Sequence, residues 1–395
     1  MSGRLPYLTA KLQGFGTTIF AEMSALAVET GAINLGQGFP DYDGPPEVLD
    51  AAKAAIDGGL NQYPPGPGMP VLRQAIAEHQ LRFWGLEYDP DTEVLVTAGA
   101  TEALAATLLA LLDTGDEVVV FEPMYDSYQA AIALAGATAR PVTLRPDPAG
   151  TEVYGFEHDE LRAAITPKTK LILLNSPHNP TGKVFRPAAL SLIADLAVAN
   201  DLLVVTDEVY EHLVFDGVGH TPIASLPGMR DRTVVISSGG KTFNTTGWKI
   251  GWVCAPRELV AAVRTAKQFL TYVNGGPFQP AIAAGLRLGD DYFAGVAADL
   301  QLKRDALMAG LSDAGFRVFR PDGTYFITVD IRPVQPDGDG YDFCRHLPHR
   351  CGVVAIPNVV FYDAAHVDEG RHLVRFAFCK RTEVIADAAA RLKGL

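Results

Sequence analysis

Short apolar runs punctuate the middle of the chain. "EVLVT" ends at Thr97, "EVVVF" at Phe121, "KLILLN" at Asn175, "DLLVVTDE" near Glu208 and "RTVVISS" at Ser238. These runs are rich in Val, Ile and Leu and alternate little, which predicts strands covered on both faces, as in a mostly parallel sheet with helices outside. Helical patterns lie between them, such as "ATEALAATLLALL" after Thr97. Strand and helix in alternation predict an α/β layered domain. The last third reads differently. "FRVFRPDGTYFITVDI" predicts alternating strands around a Pro-Asp-Gly turn, with helical patterns at about 290 to 315 and 381 to 394. That predicts a smaller α+β domain. The stretch "YPPGPGMP" at 63 to 70 reads as a rigid loop, and no internal repeat is visible.

Length and charge narrow the picture. A chain of 395 residues is long for one core, so a large domain with a smaller companion is expected. Lys and Arg total 33 against 46 Asp and Glu, a net charge of −13 that repels nucleic acid and anionic membranes. A small-molecule partner is expected instead. The four cysteines, Cys254, Cys344, Cys351 and Cys379, do not pair at short spacing, as in a reducing compartment. The start "MSGRLPYLTAKLQGFG" lacks the apolar run of a signal peptide, and "ALAATLLALL" is too short to span a bilayer. The expectation is a soluble cytoplasmic protein.

In open α/β sheets, ligands bind outside the carboxyl ends of the strands, so the polar residues there are read together. After Thr97 comes the turn Gly99–Ala100–Thr101, opening a helix whose free N–H groups suit an anion. After Asn175 comes "SPHNPTGK", with Asn179 in a proline-fixed loop. The next run presents Asp207 and, three residues on, Tyr210; the last ends in Ser238, just before Gly240 and Lys241. Each feature alone has an ordinary reading: a helix cap, a turn, a paired carboxylate, a packing tyrosine. Together they match pyridoxal 5′-phosphate. Its phosphate needs an anion cup, its ring nitrogen a carboxylate, its phenolic oxygen an amide and a phenol, and its aldehyde a lysine.

The motifs "INLGQGFPD", "NQYPPGPG", "SPHNPTG", "TDEVYEHL" and "SSGGKTFNTTGWKIGW" together resemble those of class I pyridoxal-phosphate aminotransferases of fold type I. The resemblance runs from about residue 20 to 380, and is strongest to the kynurenine, glutamine and methionine branch, with actinobacterial N-succinyldiaminopimelate aminotransferases beside it. It implies an N-terminal arm and part of the small domain at 1–45, a large cofactor domain at 46–285 and a C-terminal small domain at 286–395. It implies that Lys241 carries the cofactor, Asp207 pairs with the ring nitrogen, and Asn179 and Tyr210 bind the ring's 3′ oxygen. Ala100, Thr101, Ser238 and Lys249 would hold the phosphate, and Tyr125 would stack on the ring. Arg375 would clamp the substrate α-carboxylate with the backbone of Gly36. Tyr63 would reach the phosphate of a neighbouring subunit in a homodimer. Many class I members carry arginine where Lys249 stands; a lysine is a point charge without the bidentate fork.

Rival readings fare worse. A nucleotide loop around "GKT" requires glycine five places before Gly240, where Val235 stands. A metal site in "CRHLPHRC" at 344 to 351 matches no familiar ligand spacing, and Pro348 is expected to interrupt a helix there. No metal is expected. A regulator on the same fold would carry an added DNA-binding module, and no basic helix-turn-helix pattern precedes residue 20. A carbon–sulfur β-lyase shares the whole constellation and stays open beside the transaminase, because both begin with α-deprotonation.

Overall fold

The computed structural model describes residues 7–147 and 153–395; the first six residues of the expected N-terminal arm lie outside the described part. A seven-stranded sheet forms the centre. Its strands are β1 (Val94–Ala98), β2 (Glu117–Glu122), β3 (Thr138–Thr143), β4 (Thr169–Asn175), β5 (Leu203–Asp207), β6 (Thr233–Ser238) and β7 (Ile250–Cys254), in spatial order β1-β7-β6-β5-β4-β2-β3. From β6 to β3 all neighbours run parallel. The apolar runs sit here because the sheet is covered twice. Val118, Val120, Leu171 and Leu173 point into one core, and Val119, Phe121, Ile172 and Leu174 into the other. Alternate residues of one strand thus enter opposite layers.

Two strands were not legible in the pattern. β3 carries Thr138, Arg140 and Pro141, and an edge position tolerates that composition because a proline there forfeits no interior ladder bond. β7 is antiparallel to both of its neighbours. Its sequence "IGWVC" is apolar around one glycine, but no local pattern sets its direction, because β1, one of its pairing partners, is far away in the chain.

A second sheet holds β8 (Arg317–Phe319), β9 (Phe326–Asp330), β10 (Ile356–Pro357) and β11 (Leu373–Ala377), in the order β8-β9-β11-β10, all antiparallel. The expected pair around Pro-Asp-Gly is present as β8 and β9. Their connection is longer than a tight turn, since Asp322 and Gly323 N–H groups bond Gly182 O and Thr324 N–H bonds Leu213 O. The flanking helices span Asp290–Asp313 and Thr382–Leu392. A third, Gly340–Cys351, runs through Pro348, correcting the expected interruption. Pro348 lies in the last turn, Asp339 caps the start through the N–H groups of Tyr341 and Asp342, and Gly352 closes the end in the left-handed region, bonding Pro348 O.

The amino-terminal stretch joins this second layer. Ile33–Asn34 pairs in parallel with Val353–Val354, and Ile19, Met23 and Leu35 enter the same core as Leu307, Phe343 and Val374. Val209 and Tyr210, just beyond β5, enter that core too. The carboxyl ends of the central strands therefore face the second layer across a cleft. Among the described residues no helix is long and apolar enough to cross a membrane.

Candidate active site

One cavity lies in that cleft. It brings together Gly99, Ala100 and Thr101 after β1, Asn179 after β4, Asp207 and Tyr210 at the end of β5, Ser238 at the end of β6 and Lys241 just beyond it. Tyr125, Lys249 and Arg375 line it as well. Two expected residues stand elsewhere. Tyr63 is 82% exposed and outside this lining, edge-on to Tyr272 at 5.6 Å. Gly36 is buried behind it, with its N–H donated to Asn34 Oδ1 (3.0 Å) and its carbonyl accepting from Arg375 (3.0 Å).

The anion cup is shaped by glycine. Gly99 adopts φ +75° and starts the helix Gly99–Leu111, leaving the first N–H groups of that helix free. A Cβ on Gly99 would stand 3.3 Å from Lys249 Nζ, so the ammonium lies over the cup. A Cβ on Gly251 of β7 would meet Gly99 C at 2.5 Å and Ala100 N at 2.8 Å, which only glycine avoids. Thr101 and Ser238 add hydroxyls. Glu102, absent from the sequence reading, accepts the Ala98 N–H at 2.5 Å and steadies the turn from behind.

Asp207 lies deep in the cleft. Register sets it opposite Asn175, whose Nδ2 donates to Asp207 O (2.8 Å) and whose Oδ1 accepts from Asn179 N (2.7 Å). Burial raises the Asp207 pKa, opposed by hydrogen bonds from Tyr128 Oη (2.7 Å) and the Val209 N–H (3.3 Å) and by the charge of Lys241. Tyr128 was missed by sequence reading; it follows Tyr125 by three residues, one helical turn, and that spacing was the available signal. A cation placed against this carboxylate would favour its charged form.

Lys241 sits in the short helix Gly239–Thr242, and its Nζ is 3.4 Å from Gly38 O. The rings of Tyr210 and Tyr325 stand 5.7 and 5.5 Å away, at right angles to each other. The side chain faces the cavity and is half-buried, yet the protein around it withdraws the ammonium from bulk water. Burial lowers its pKa to about 8; Cys379 and Asp207 push it up, and Arg375 and Lys249 push it down.

Arg375, on β11, is 1% exposed. Its Nη1 donates to Asn179 Oδ1 (2.9 Å), and its guanidinium lies 3.9 Å above the Phe326 ring. Its Nε has no partner, and the acceptors of its two Nη atoms, Asn179 Oδ1 and Gly36 O, are neutral oxygens. Burial pulls its pKa down to about 10. A buried, unpaired guanidinium calls for an anionic ligand.

Behind β5 and β6 lies a polar cluster the sequence reading did not consider. His79, Glu211 and His212 hold potential ligand atoms within 4.8 Å of one another. The imidazole Nε2 atoms of His79 and His212 already bond each other at 2.8 Å, and Glu211 accepts from Trp84 Nε1 (2.7 Å) and Ser237 Oγ (2.8 Å). Burial, helped by Glu208, raises Glu211 to about pKa 7.

The cavity residues fit pyridoxal phosphate on the structure's own terms. A glycine-shaped cup is topped by an ammonium, a buried carboxylate takes a tyrosine hydrogen bond, and a lysine of lowered pKa lines the same cavity. The chain belongs to the family described as Aminotransferase class I and II, whose sequence model matches residues 30–392. It is a pyridoxal-phosphate-dependent aminotransferase, moving an amino group between an amino acid and a 2-oxo acid. It is 53% identical to a probable N-succinyldiaminopimelate aminotransferase of Mycobacterium tuberculosis, over 98% of each chain. The solved structure of the N-succinyldiaminopimelate aminotransferase of that organism matches with a TM-score of 0.94 at 53% identity, covering 98% of this chain and 99% of that one. A methionine aminotransferase of Escherichia coli is 39% identical over 98% of each chain.

Proposed function

We propose that this aminotransferase acts on N-succinyl-LL-diaminopimelate with 2-oxoglutarate as its amino-group partner. The observation that supports this substrate is the 53% identity across 98% of both chains to the mycobacterial protein named for it. The test is a donor panel with 2-oxoglutarate. N-succinyl-LL-diaminopimelate should give the highest kcat/KM; a higher value for methionine or kynurenine would refute the assignment. Cysteine conjugates tested alongside would report β-lyase chemistry as pyruvate and ammonia.

The residues take the following roles in this reading. Bound pyridoxal phosphate supplies an electron sink for the pair left on the substrate α-carbon. Asp207 would pair with the ring nitrogen and keep it protonated, with Tyr128 holding the carboxylate in place. Asn179 and Tyr210 would bind the phenolic oxygen, and Tyr125 would cover the ring. Gly99, Ala100, Thr101, Ser238 and Lys249 would hold the phosphate. Arg375 binds the α-carboxylate and, with Asn179 and the backbone of Gly36, fixes the orientation of the α C–H bond. Lys241 Nζ, as a neutral amine, would accept the substrate α-proton and hold it for return; a pKa of about 8 suits that work near neutral pH.

The working unit is a homodimer in the cytoplasm, in which Tyr63 reaches the phosphate site of the second copy. The exposed ring of Tyr63, beside Tyr272 and outside the cavity lining of its own chain, supports this. Sedimentation of the holoenzyme would test it, a monomer being the refuting result. Residues 46–285 form the large domain, with 1–45 and 286–395 contributing the smaller one; the shared core of Ile19, Met23 and Leu35 with Leu307 and Val374 supports that division.

A further inference from the structure

Lys249 has an unusual backbone. It adopts φ +55° and ψ +47°, the left-handed region, although it is not glycine. That conformation costs about 1 kcal/mol or more for a residue with a Cβ, so something must hold it. The holding group lies 25 residues further along the chain: Asn274 Nδ2 donates to Lys249 O at 3.0 Å. The same nitrogen donates to Thr97 O at 3.1 Å, two residues before Gly99. One side-chain amide thus ties together the two segments that form the cup.

The amide is itself firmly mounted. Gln279, 1% exposed, donates from Nε2 to Asn274 O (2.7 Å) and accepts the Met69 N–H at Oε1 (2.7 Å). Gly275 follows at φ +53°, and a Cβ there would meet Ile250 Cδ1 at 2.4 Å, so the chain lies directly against the residue after Lys249. Two facing carbonyls also settle which way the amide points: the NH2 end must meet them, leaving Oδ1 buried without a protein partner. Thr271 adds a second brace, its hydroxyl bonding Glu102, which in turn accepts the Ala98 N–H.

We infer that Asn274 is a positioning residue for the phosphate grip: by fixing the carbonyls of Thr97 and Lys249 it sets the Lys249 ammonium over the amino end of the helix Gly99–Leu111. The inference rests on the reading of that cup as the phosphate site. Asn274 does not itself line the cavity. It acts only through the geometry of Lys249 and the Gly99 turn.

The test compares two ligands on the same protein, pyridoxal phosphate and phosphate-free pyridoxal. Both bind Lys241, but only the first uses the cup. In Asn274→Leu, which keeps the side-chain shape and removes both donors, pyridoxal phosphate should leave the holoenzyme about tenfold faster, the scale of one well-placed hydrogen bond. Release of pyridoxal from the same variant should stay within about twofold of the parent, because it makes no phosphate contact. Equal acceleration for both ligands, or no change for either, overturns the inference. If Asn274→Leu does not fold, Asn274→Ser, which retains one donor, is measured in the same way: faster release of pyridoxal phosphate alone supports the inference, and equal or absent change overturns it. Failure of the parent protein to discriminate between the two ligands would refute the phosphate site itself, a distinct result.

Discussion

In the cofactor-free protein, the Lys241 amine should titrate near pH 8. Burial is the main cause, and the charges of Arg375 and Lys249 add to it against the pull of Cys379 and Asp207. A fall from the ordinary 10.5 to about 8 disfavours the ammonium by about 3 kcal/mol. At pH 7 roughly one molecule in ten then carries a neutral amine, against about one in three thousand for a solvated lysine. The assay is the rate at which apoprotein combines with excess pyridoxal phosphate between about pH 6.5 and 9.5, followed by absorbance. Dividing by the rate for Nα-acetyllysine removes the aldehyde's own titration. Below pH 8 both amines gain neutral form together, so the ratio stays level. Above pH 8 the protein amine is already neutral while the free one still gains, so the ratio falls about tenfold per pH unit. A ratio that stays level across the whole range would mean Lys241 is an ordinary lysine, and the argument from burial would fail. Lys241→Ala should abolish the covalent link and nearly all turnover.

Three further outcomes follow from the geometry. Arg375→Ala should raise KM for every amino donor, by roughly 100-fold if two charge-assisted hydrogen bonds are lost, and an unchanged KM removes it from the carboxylate clamp. Lys249→Ala should retain the covalent link but hold pyridoxal phosphate at least about tenfold more weakly; loss of the link in this variant contradicts the division of roles between the two lysines. Glu211→Gln should flatten the pH dependence of stability. The folded pKa is raised from 4.5 to about 7, so the native state holds the proton longer than the unfolded chain does. Its stabilising share is full below 4.5, declines as pH rises through 7 and is gone above, about 3 kcal/mol in all. The melting temperatures of variant and parent should differ by a constant amount at low pH and diverge in favour of the variant by pH 8; a constant difference throughout would refute the shift.

Much of the layered architecture could be read from local pattern. Buried parallel strands announce themselves as apolar runs, since both of their faces meet a core, and β2, β4, β5 and β6 fall where those runs lie. The polar residues at their ends were legible for the same reason, because a strand end in such a sheet has a fixed direction. Asn175, Asp207 and Ser238 close the runs directly, and Gly99, Tyr210 and Lys241 lie within three residues of one. Arg375 was found only through family resemblance, since nothing local distinguishes it from other cations; Lys249 stands out in its Gly- and Thr-rich stretch, but its phosphate role came from the resemblance.

The chain's own pattern therefore determined the buried parallel strands β2, β4, β5 and β6, the helices between them and the short polar segments that follow. Tertiary structure alone decided the rest. It turned β7 antiparallel, set Tyr128 on Asp207, stacked Arg375 on Phe326 at 3.9 Å, buried His79 against His212 and brought Asn274 to the carbonyl of Thr97, 177 residues away in sequence. Periodicity records which face of an element is buried. It carries no record of which distant element covers that face, and hydrogen bonds between distant side chains are settled only when the layers close.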